Sequence, residues 1–287
     1  MDIDPRQHVR QVTWSSANAD DPIECFTRSE LLARFPLEHF ERVERLHFHL
    51  VILGRSGVGS HEVDFAHTEV RPGRVLHVEP GQVHRWRPSV VFDADVVLFR
   101  EAPVDLVPRW TDQATVVDLD PLQLREADAV LAMIADERRP HRSPTERRAA
   151  LRALRDLLFV RLGLAGDRGA PGGAPPAYRA LLDDLERDLS VEASMNARAA
   201  RLGYSARTLS RASREVTGRS AKRLVDERIT LEARRLLAQP DATIAQVAAT
   251  LGFTEQTNFA KFFRRMTGST PSDWRASVVA TDPSLRG

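Results

Sequence analysis

Histidines and one tryptophan in the first third of the chain have the residue types and spacing of a binding pocket. One residue separates His47 from His49, and one residue separates His84 from Trp86. Alternate residues of a strand lie on one face, so each pair shares a face if both segments are strands. Three neutral imidazoles could hold zinc, and with an indole they could instead line a polar small-molecule pocket. The predicted pocket consists of His47, His49, His84 and Trp86; the alternatives are structural histidines, or a metal site at His47, His49 and His84.

Towards the C-terminus the chain repeats itself. The residues LGYS at 202–205 recur as LGFT at 251–254, which is 49 positions later, and TG at 217–218 recurs at 267–268, which is 50 positions later. A repeat of this length indicates two copies of one structural unit. The second copy is one residue longer than the first.

Each copy has the pattern of two helices joined by a glycine turn. In the second copy, Ile244, Val247 and Leu251 share one helical face, Gly252 supplies the positive φ of the turn, and we expect Thr254 to cap the next helix. Such a pair is a helix-turn-helix, whose second helix can enter the major groove of DNA. Plain packing of a helical hairpin is the alternative for a single copy, but two copies at a fixed offset favour DNA binding.

Charge and composition agree with a nucleic-acid partner for the C-terminal part only. From Tyr178 onward there are 18 Lys and Arg against 13 Asp and Glu, whereas the residues before it carry 23 and 27. The single cysteine, Cys25, excludes an intrachain disulfide and a zinc finger. No apolar run reaches the length of a transmembrane helix, and the N-terminus lacks the pattern of a signal peptide. We therefore expect a cytoplasmic protein with no membrane partner.

The pattern predicts an α+β protein of two domains. Residues 26–99 contain short apolar runs separated by Gly and Pro, which is typical of a β-barrel. Two helices follow, at about 121–138 with Asp120 as N-cap and at about 144–163 with a capping box at Ser143. They could cover the barrel, form the seam of a homodimer, or do both with different faces. The predicted boundaries are a first domain at 1–164, a flexible Gly- and Pro-rich linker at 165–177, and an all-α domain at 178–287 with helix-turn-helix units at about 195–217 and 243–267.

The stretch Ser194–Ala276 resembles the DNA-binding domain of the AraC/XylS family of transcriptional regulators. The most specific part is IAQVAxxLGF at 244–253, followed by NFxxxFRRxxGxxPxxWR at 258–275. The resemblance implies a seven-helix domain of two lobes, joined by a central helix at about 221–238. It also implies binding to double-stranded promoter DNA and activation of transcription through RNA polymerase.

The resemblance also assigns roles to individual residues. Side chains at the start of each second helix would face bases: Arg207, Ser210, Arg211, Gln256, Thr257 and Lys261. Side chains farther along would meet phosphates: Arg214, Arg219, Arg264 and Arg265. The first unit departs from the family pattern, with Ser213 at a position that is commonly Phe and Arg198 where the second copy has Val247. Less apolar surface is then buried, so we expect the first lobe to be the softer one.

The N-terminal part resembles the cupin-like sensor domain of such regulators. The pattern is Pro72-Gly73, Gly81 and His84, preceded by His47-x-His49. It implies a small-molecule effector inside a cupin-like barrel with two helices. Cupin enzymes place a Glu shortly after the first histidines, and this chain has Leu53 and apolar neighbours there. We therefore expect neither enzymatic activity nor a cofactor. The rivals are a metal-dependent cupin enzyme fused to a DNA-binding domain, and a DNA-binding protein without an effector.

Overall fold

The computed structural model describes residues 9–12, 21–34, 43–87, 92–101, 115–137, 143–164, 174–239 and 242–280. The chain divides into two compact units, one at Val9–Gly166 and the other containing Asp167–Gly287. The first combines sheets and helices, and the described part of the second is helical. The predicted α+β class with two domains is confirmed.

The described strands of the N-terminal unit form two five-stranded sheets. The first has the order β1-β3-β8-β5-β6 and the second β10-β7-β4-β9-β2. Only β1 and β3 pair in parallel among the described strands; the other pairs are antiparallel. The strands are β1 Val9–Val12, β2 Ile23–Thr27, β3 Val43–Leu46, β4 His49–Ser56, β5 Gly59–Val63, β6 Ala66–Val70, β7 Arg74–Val78, β8 Val83–Arg87, β9 Asp93–Phe99 and β10 Thr115–Asp118.

Two apolar cores lie on opposite faces of the second sheet. The inner core lies between the two sheets and contains Ile52 and Leu76 from one sheet and Val63 and Trp86 from the other. The outer core contains Val51 and other alternate residues of the same strands, packed against two helices. Both faces of the second sheet therefore contribute apolar residues to a core, with Ile52 on the inner face and its neighbour Val51 on the outer face.

Three described helices belong to this unit: α1 Arg28–Arg34, α2 Pro121–Asp136 and α3 Pro144–Arg161. Capping boxes at Asp120 and Ser143 start α2 and α3, which confirms the two N-caps predicted from the sequence. Helix α1 was not predicted, although Thr27 and Glu30 carry its signal. The Glu30 N–H donates to Thr27 Oγ1 (3.2 Å), and the Thr27 N–H donates to Glu30 Oε2 (2.7 Å).

The described residues between 174 and 280 form seven helices: α4 Pro176–Arg187, α5 Met195–Arg201, α6 Ala206–Thr217, α7 Ala221–Leu237, α8 Ile244–Thr250, α9 Gln256–Thr267 and α10 Pro271–Ala280. Gly218 and Gly268 end α6 and α9 in the left-handed conformation (φ 71° and 82°), which an L side chain rarely adopts.

The predicted linker 165–177 lies outside the described residues up to 173. Its last two residues are not linker, because α4 begins at Pro176. Pro176 is well suited to the first helical position, because the N–H that proline lacks would have no hydrogen-bond partner inside the helix there.

Candidate nucleic-acid interface and candidate effector site

Helix α6 presents a polar face at the start of the first repeat. Ser205 caps it by accepting from the Thr208 N–H at 3.0 Å. Arg207 and Arg211 are exposed and Ser210 is half-buried, whereas Leu209 is buried. Residues three and four apart lie on one helical face. The three predicted base-facing residues of this unit therefore share one outward surface.

Helix α9 presents the equivalent face of the second repeat. Gln256, Thr257 and Lys261 are all exposed. The prediction that Thr254 caps this helix is wrong, because the N-cap is Glu255 and makes no side-chain cap bond. The extra residue of the second copy thus falls in the turn before α9. The Glu255 carboxylate accepts instead from the Thr257 hydroxyl (3.1 Å), which gives that side chain an acidic partner next to the predicted contact surface.

The four predicted phosphate contacts fall into two pairs. Arg214 and Arg264 are exposed near the ends of α6 and α9, and their guanidinium groups have no partner among the described residues. Arg219 donates to Glu227 at 2.8 Å. Arg265 lies 3.4 Å from Asp226 and over the Phe262 ring at 5.4 Å. Arg219 and Arg265 are already paired with carboxylates, so Arg214 and Arg264 offer the less compensated positive charge.

Arg198 is one of the two departures behind the prediction of a softer first lobe, and the structure gives its guanidinium several partners. Arg198 is fully buried and forms an ion pair with buried Asp184 at 2.6 Å. It also donates to two main-chain carbonyls, of Asp188 (2.7 Å) and Ser190 (2.6 Å). Arg201 reaches the other oxygen of Asp184 (2.8 Å). The positive charge of Arg198 is therefore compensated by Asp184, at a position where the second copy has the apolar, buried Val247.

Ser213 is the second departure of the first unit, and it fits the prediction of a smaller apolar core there. It is buried, and its hydroxyl has no hydrogen-bond partner among the described residues. The corresponding Phe263 is fully buried and packs near Phe259 and Trp274, with ring centroids 5.8 and 6.1 Å apart.

A pair of histidines lies in the inner core of the N-terminal unit. His61 Nε2 and His84 Nδ1 are 3.0 Å apart, and the Trp86 ring meets His61 edge-on at 5.5 Å. Burial lowers the pKa of His84 to about 4, and burial followed by the nearby His84 holds the pKa of His61 well below its ordinary value. Both imidazoles are therefore neutral near pH 7.

The neutral pair offers a defined set of hydrogen-bonding atoms. His61 Nδ1 and His84 Nε2 are buried, and neither has a partner among the described residues. One ring must donate the shared proton and the other must accept it, because each neutral imidazole carries a single N–H. Whichever tautomers are present, the pair therefore presents one free donor and one free acceptor. Sequence reasoning missed His61; the signal was its place two residues before the inward-facing Val63.

The structure does not bring the four predicted pocket residues together. His84 and Trp86 face the inner core as predicted, but His49 faces the outer core. There its Nδ1 lies 2.9 Å from His77 Nε2, and its ring stacks on Phe99 at 4.7 Å. Burial, and to a lesser degree the charge of Arg155, lowers the pKa of His49 to about 4. His47 is exposed in a bend between β3 and β4.

The same placement argues against the alternative metal site. His47, His49 and His84 lie in three separate environments. Within the described residues, no three His, Cys, Asp or Glu side chains are grouped so that they could hold a metal ion.

Helices α2 and α3 present apolar side chains on both sides. Val130 and Leu158 are buried in the outer core, as expected for helices that cover a sheet. On the outward side, Leu122, Met133 and Val160 are 56%, 44% and 46% exposed. Glu126 and Arg161 join the two helices there at 3.2 Å. Of the described helices, none has the length and apolar character to span a membrane.

Comparisons with known proteins agree with the geometry of the C-terminal unit. Residues 198–277 match a family model described as a helix-turn-helix domain. The chain is 32% identical over 111 residues to the HTH-type transcriptional activator RhaS of Pectobacterium carotovorum subsp. carotovorum, an alignment that spans 39% of this chain and 40% of that protein. It is 24% identical over 251 residues to RhaS of Escherichia coli, which spans 85% of this chain and 88% of that protein.

Among solved structures, ToxT from Vibrio cholerae O395 aligns over 85% of this chain and 91% of its own, with 12% identity and a TM-score of 0.44.

The two exposed second helices and the matching family model define a DNA-binding protein of the helix-turn-helix class. More narrowly, the matches to transcriptional activators over the C-terminal part agree with the resemblance of Ser194–Ala276 to the DNA-binding domain of the AraC/XylS family.

Proposed function

We propose that the protein is a sequence-specific transcriptional regulator, with two helix-turn-helix units that bind promoter DNA and an N-terminal unit that binds a small effector. The observation that carries the proposal is the pair of exposed faces on α6 and α9. Each begins a helix that follows a glycine turn, and both belong to the basic part of the chain. Helices of this kind enter the major groove.

The distance between the two units suits adjacent turns of one duplex. Helix α7 has 17 residues, a length of about 26 Å at 1.5 Å per residue. With a helix-turn-helix unit at either end, α6 and α9 could lie about 34 Å apart, which is one turn of B-DNA. A single chain could then contact two successive major grooves.

The residue roles follow from exposure and from existing partners. We assign base contacts to Arg207, Ser210, Arg211, Gln256, Thr257 and Lys261. Arginine pairs well with guanine and glutamine with adenine, because each can make two hydrogen bonds to its base. Arg214 and Arg264 are the stronger candidates for phosphates, since Arg219 and Arg265 would have to exchange a carboxylate for the phosphate.

The effector site is best placed in the inner core beside His61, His84 and Trp86. Two neutral imidazoles with one unpaired donor and one unpaired acceptor favour an uncharged ligand that can both accept and donate. An effector that binds only the folded protein should raise the melting temperature. A screen of small metabolites against the full chain tests this, with His84→Phe as the variant that should lose the response. A metabolite response that His84→Phe retains would place the site elsewhere.

The remaining assignments concern partners and location. The exposed apolar side chains of α2 and α3 support a homodimer, and sedimentation of the full chain at tens of micromolar (a concentration chosen for ordinary affinities) tests it. The two relatives named above are described as transcriptional activators. We extend activation, contact with RNA polymerase and a cytoplasmic location to this protein as part of the proposal.

Selection of duplexes from random DNA by the purified full chain tests the proposed function. Enrichment of one sequence supports a sequence-specific regulator. DNA binding without enrichment, or no binding at low salt, contradicts it. Metal analysis of the same preparation separates the regulator from the rival metal-dependent enzyme, which requires stoichiometric metal. A regulator without an effector would bind the selected duplex and show no metabolite response.

A further inference from the structure

The loop between α4 and α5 contacts both helix-turn-helix units. This loop, residues 188–194, lies in the first lobe. The Val191 N–H donates to the Leu251 carbonyl of the second unit at 3.0 Å. A Cβ on Gly252 would overlap Ser190 Oγ and lie 3.2 Å from Glu192 Cγ. The loop thus packs directly against the turn that precedes α9.

Arg198 holds the shape of this loop from inside the first unit. Its Nη1 donates to the Asp188 carbonyl (2.7 Å), and its Nη2 donates to the Ser190 carbonyl (2.6 Å). Nη1 also donates to Asp184 Oδ2 of α4 (2.6 Å). A fully buried guanidinium with three oxygen acceptors leaves this part of the loop little freedom.

The second unit has no such interaction, although its fold is the same. Val247 occupies the equivalent position and is buried without any hydrogen bond from its side chain. Packing of the first helix of a unit therefore does not require an arginine. What Arg198 adds is a hold on the loop that touches the other unit.

We propose that Arg198 is a positioning residue that fixes the orientation of the second helix-turn-helix relative to the first, acting through residues 188–192. The inference rests on the proposed DNA-binding function. Helix α7 joins the two units at one place, and the loop joins them at another. Two separate connections resist rotation of one unit against the other better than one does.

Spacing on the DNA is the readout that a merely structural residue would not change. One base pair inserted between the two contacted segments moves them apart and rotates them by about 34° around the duplex axis, since one turn takes about 10.5 base pairs. A protein with rigidly held units should lose affinity for the expanded duplex. A protein with loosely held units should tolerate the insertion.

The experiment compares variants of the full chain on two duplexes: one selected from random DNA by the unsubstituted chain, and the same duplex with one inserted base pair. Arg198→Met removes all three contacts. Arg198→Lys keeps the positive charge near Asp184, but its single ammonium group cannot bridge both carbonyls. This variant replaces Arg198→Met in the comparison if Arg198→Met folds poorly. Arg201→Met is the matched control, because it removes one positive charge from the same network without touching the loop carbonyls.

We expect the ratio of the two dissociation constants to fall about tenfold in both Arg198 variants, within the usual range for mutations that alter coupling. Arg201→Met should keep the ratio of the unsubstituted chain. An unchanged ratio in both Arg198 variants overturns the proposal, and so does an unsubstituted chain that tolerates the insertion. If the unsubstituted chain enriches no sequence from random DNA, the proposed function fails instead.

Discussion

The two lobes of the C-terminal unit build the same fold with different cores. In the first lobe, buried Asp184 of α4 faces buried Arg198 of α5. The positions 49 residues later carry Ala233 and Val247, both buried and apolar. Replacing a well-paired buried ion pair by apolar residues of suitable volume is often neutral or stabilising, so an ion pair is not required for stability at these positions. Arg198 of the ion pair also holds the loop at residues 188–194 through two main-chain carbonyls. The apolar pair Ala233 and Val247 has no side-chain group that could do so.

The second helices differ in the same direction. Leu209 and Ser213 of α6 lie where α9 has Phe259 and Phe263. Aromatic rings bury far more apolar area than a serine does. Stability in the second lobe therefore depends on packing of rings, whereas in the first lobe it depends more on a few polar contacts.

Phe263→Ala should lower the free energy of unfolding by about 4 kcal/mol, because it removes a fully buried ring that packs against two others. Ser213→Ala is the matched change in the first lobe. It removes a buried hydroxyl that has no hydrogen-bond partner in the described part of the chain, so we expect stability to stay the same or to rise slightly. Urea unfolding followed by circular dichroism measures both. Equal losses in the two variants would show that the cores do not differ as described.

Asp184→Ala should cost about 3 kcal/mol by leaving the buried Arg198 without its carboxylate. The loss stays near the lower end of the usual range, because Arg198 keeps two carbonyl acceptors. The double variant Asp184→Ala, Arg198→Val copies the second lobe and should recover most of that stability. A double variant less stable than Asp184→Ala alone would mean that the first lobe cannot accept the apolar solution.

Base contacts should be separable between the lobes. Arg211 and Lys261 occupy corresponding positions of α6 and α9, and both are exposed. The variants are Arg211→Ala and Lys261→Ala. Each should relax the preference at one position of the bound site, at a cost of about 1–3 kcal/mol for the preferred base pair. Repeating the selection with each variant measures this. The same uniform loss on every sequence would identify the residue as a backbone contact.

The smallest expected effect distinguishes Arg264 from its neighbour Arg265. Arg264→Ala should flatten the dependence of log affinity on log salt by about one unit, since it removes a contact to one phosphate. Arg265→Ala should change the slope less, because Arg265 is already paired with Asp226. Titrations at several salt concentrations decide between them. A larger change in slope for Arg265→Ala would reverse the assignment.

Features with local signals could be predicted from the sequence. Asp120 and Ser143 are recognisable as N-caps because a proline and a Gln or Glu follow them at the start of each helix. The repeated glycines mark turns that need a positive φ. The prediction of Thr254 as N-cap was wrong because the residue inserted in the second copy moves the N-cap to Glu255. The offset between the repeats does not show at which position the insertion falls.

Features that depend on long-range packing could not be predicted. His47 and His49 are two residues apart, but β4 begins only at His49, so the two residues do not share one strand. Both faces of β4 are buried, and therefore alternation alone could not tell which face is the inner one. The burial of Arg198 depends on Asp184, fourteen residues earlier on another helix.

Whether both helix-turn-helix units read DNA can be measured by removing single bases from the selected duplex and finding which removals prevent binding of the full chain. We expect two clusters of required bases centred about one helical turn, or 10–10.5 base pairs, apart. In Arg211→Ala one cluster should weaken, and in Lys261→Ala the other. A single cluster, or two clusters that both respond to the same variant, would contradict the claim that each unit contributes its own contacts.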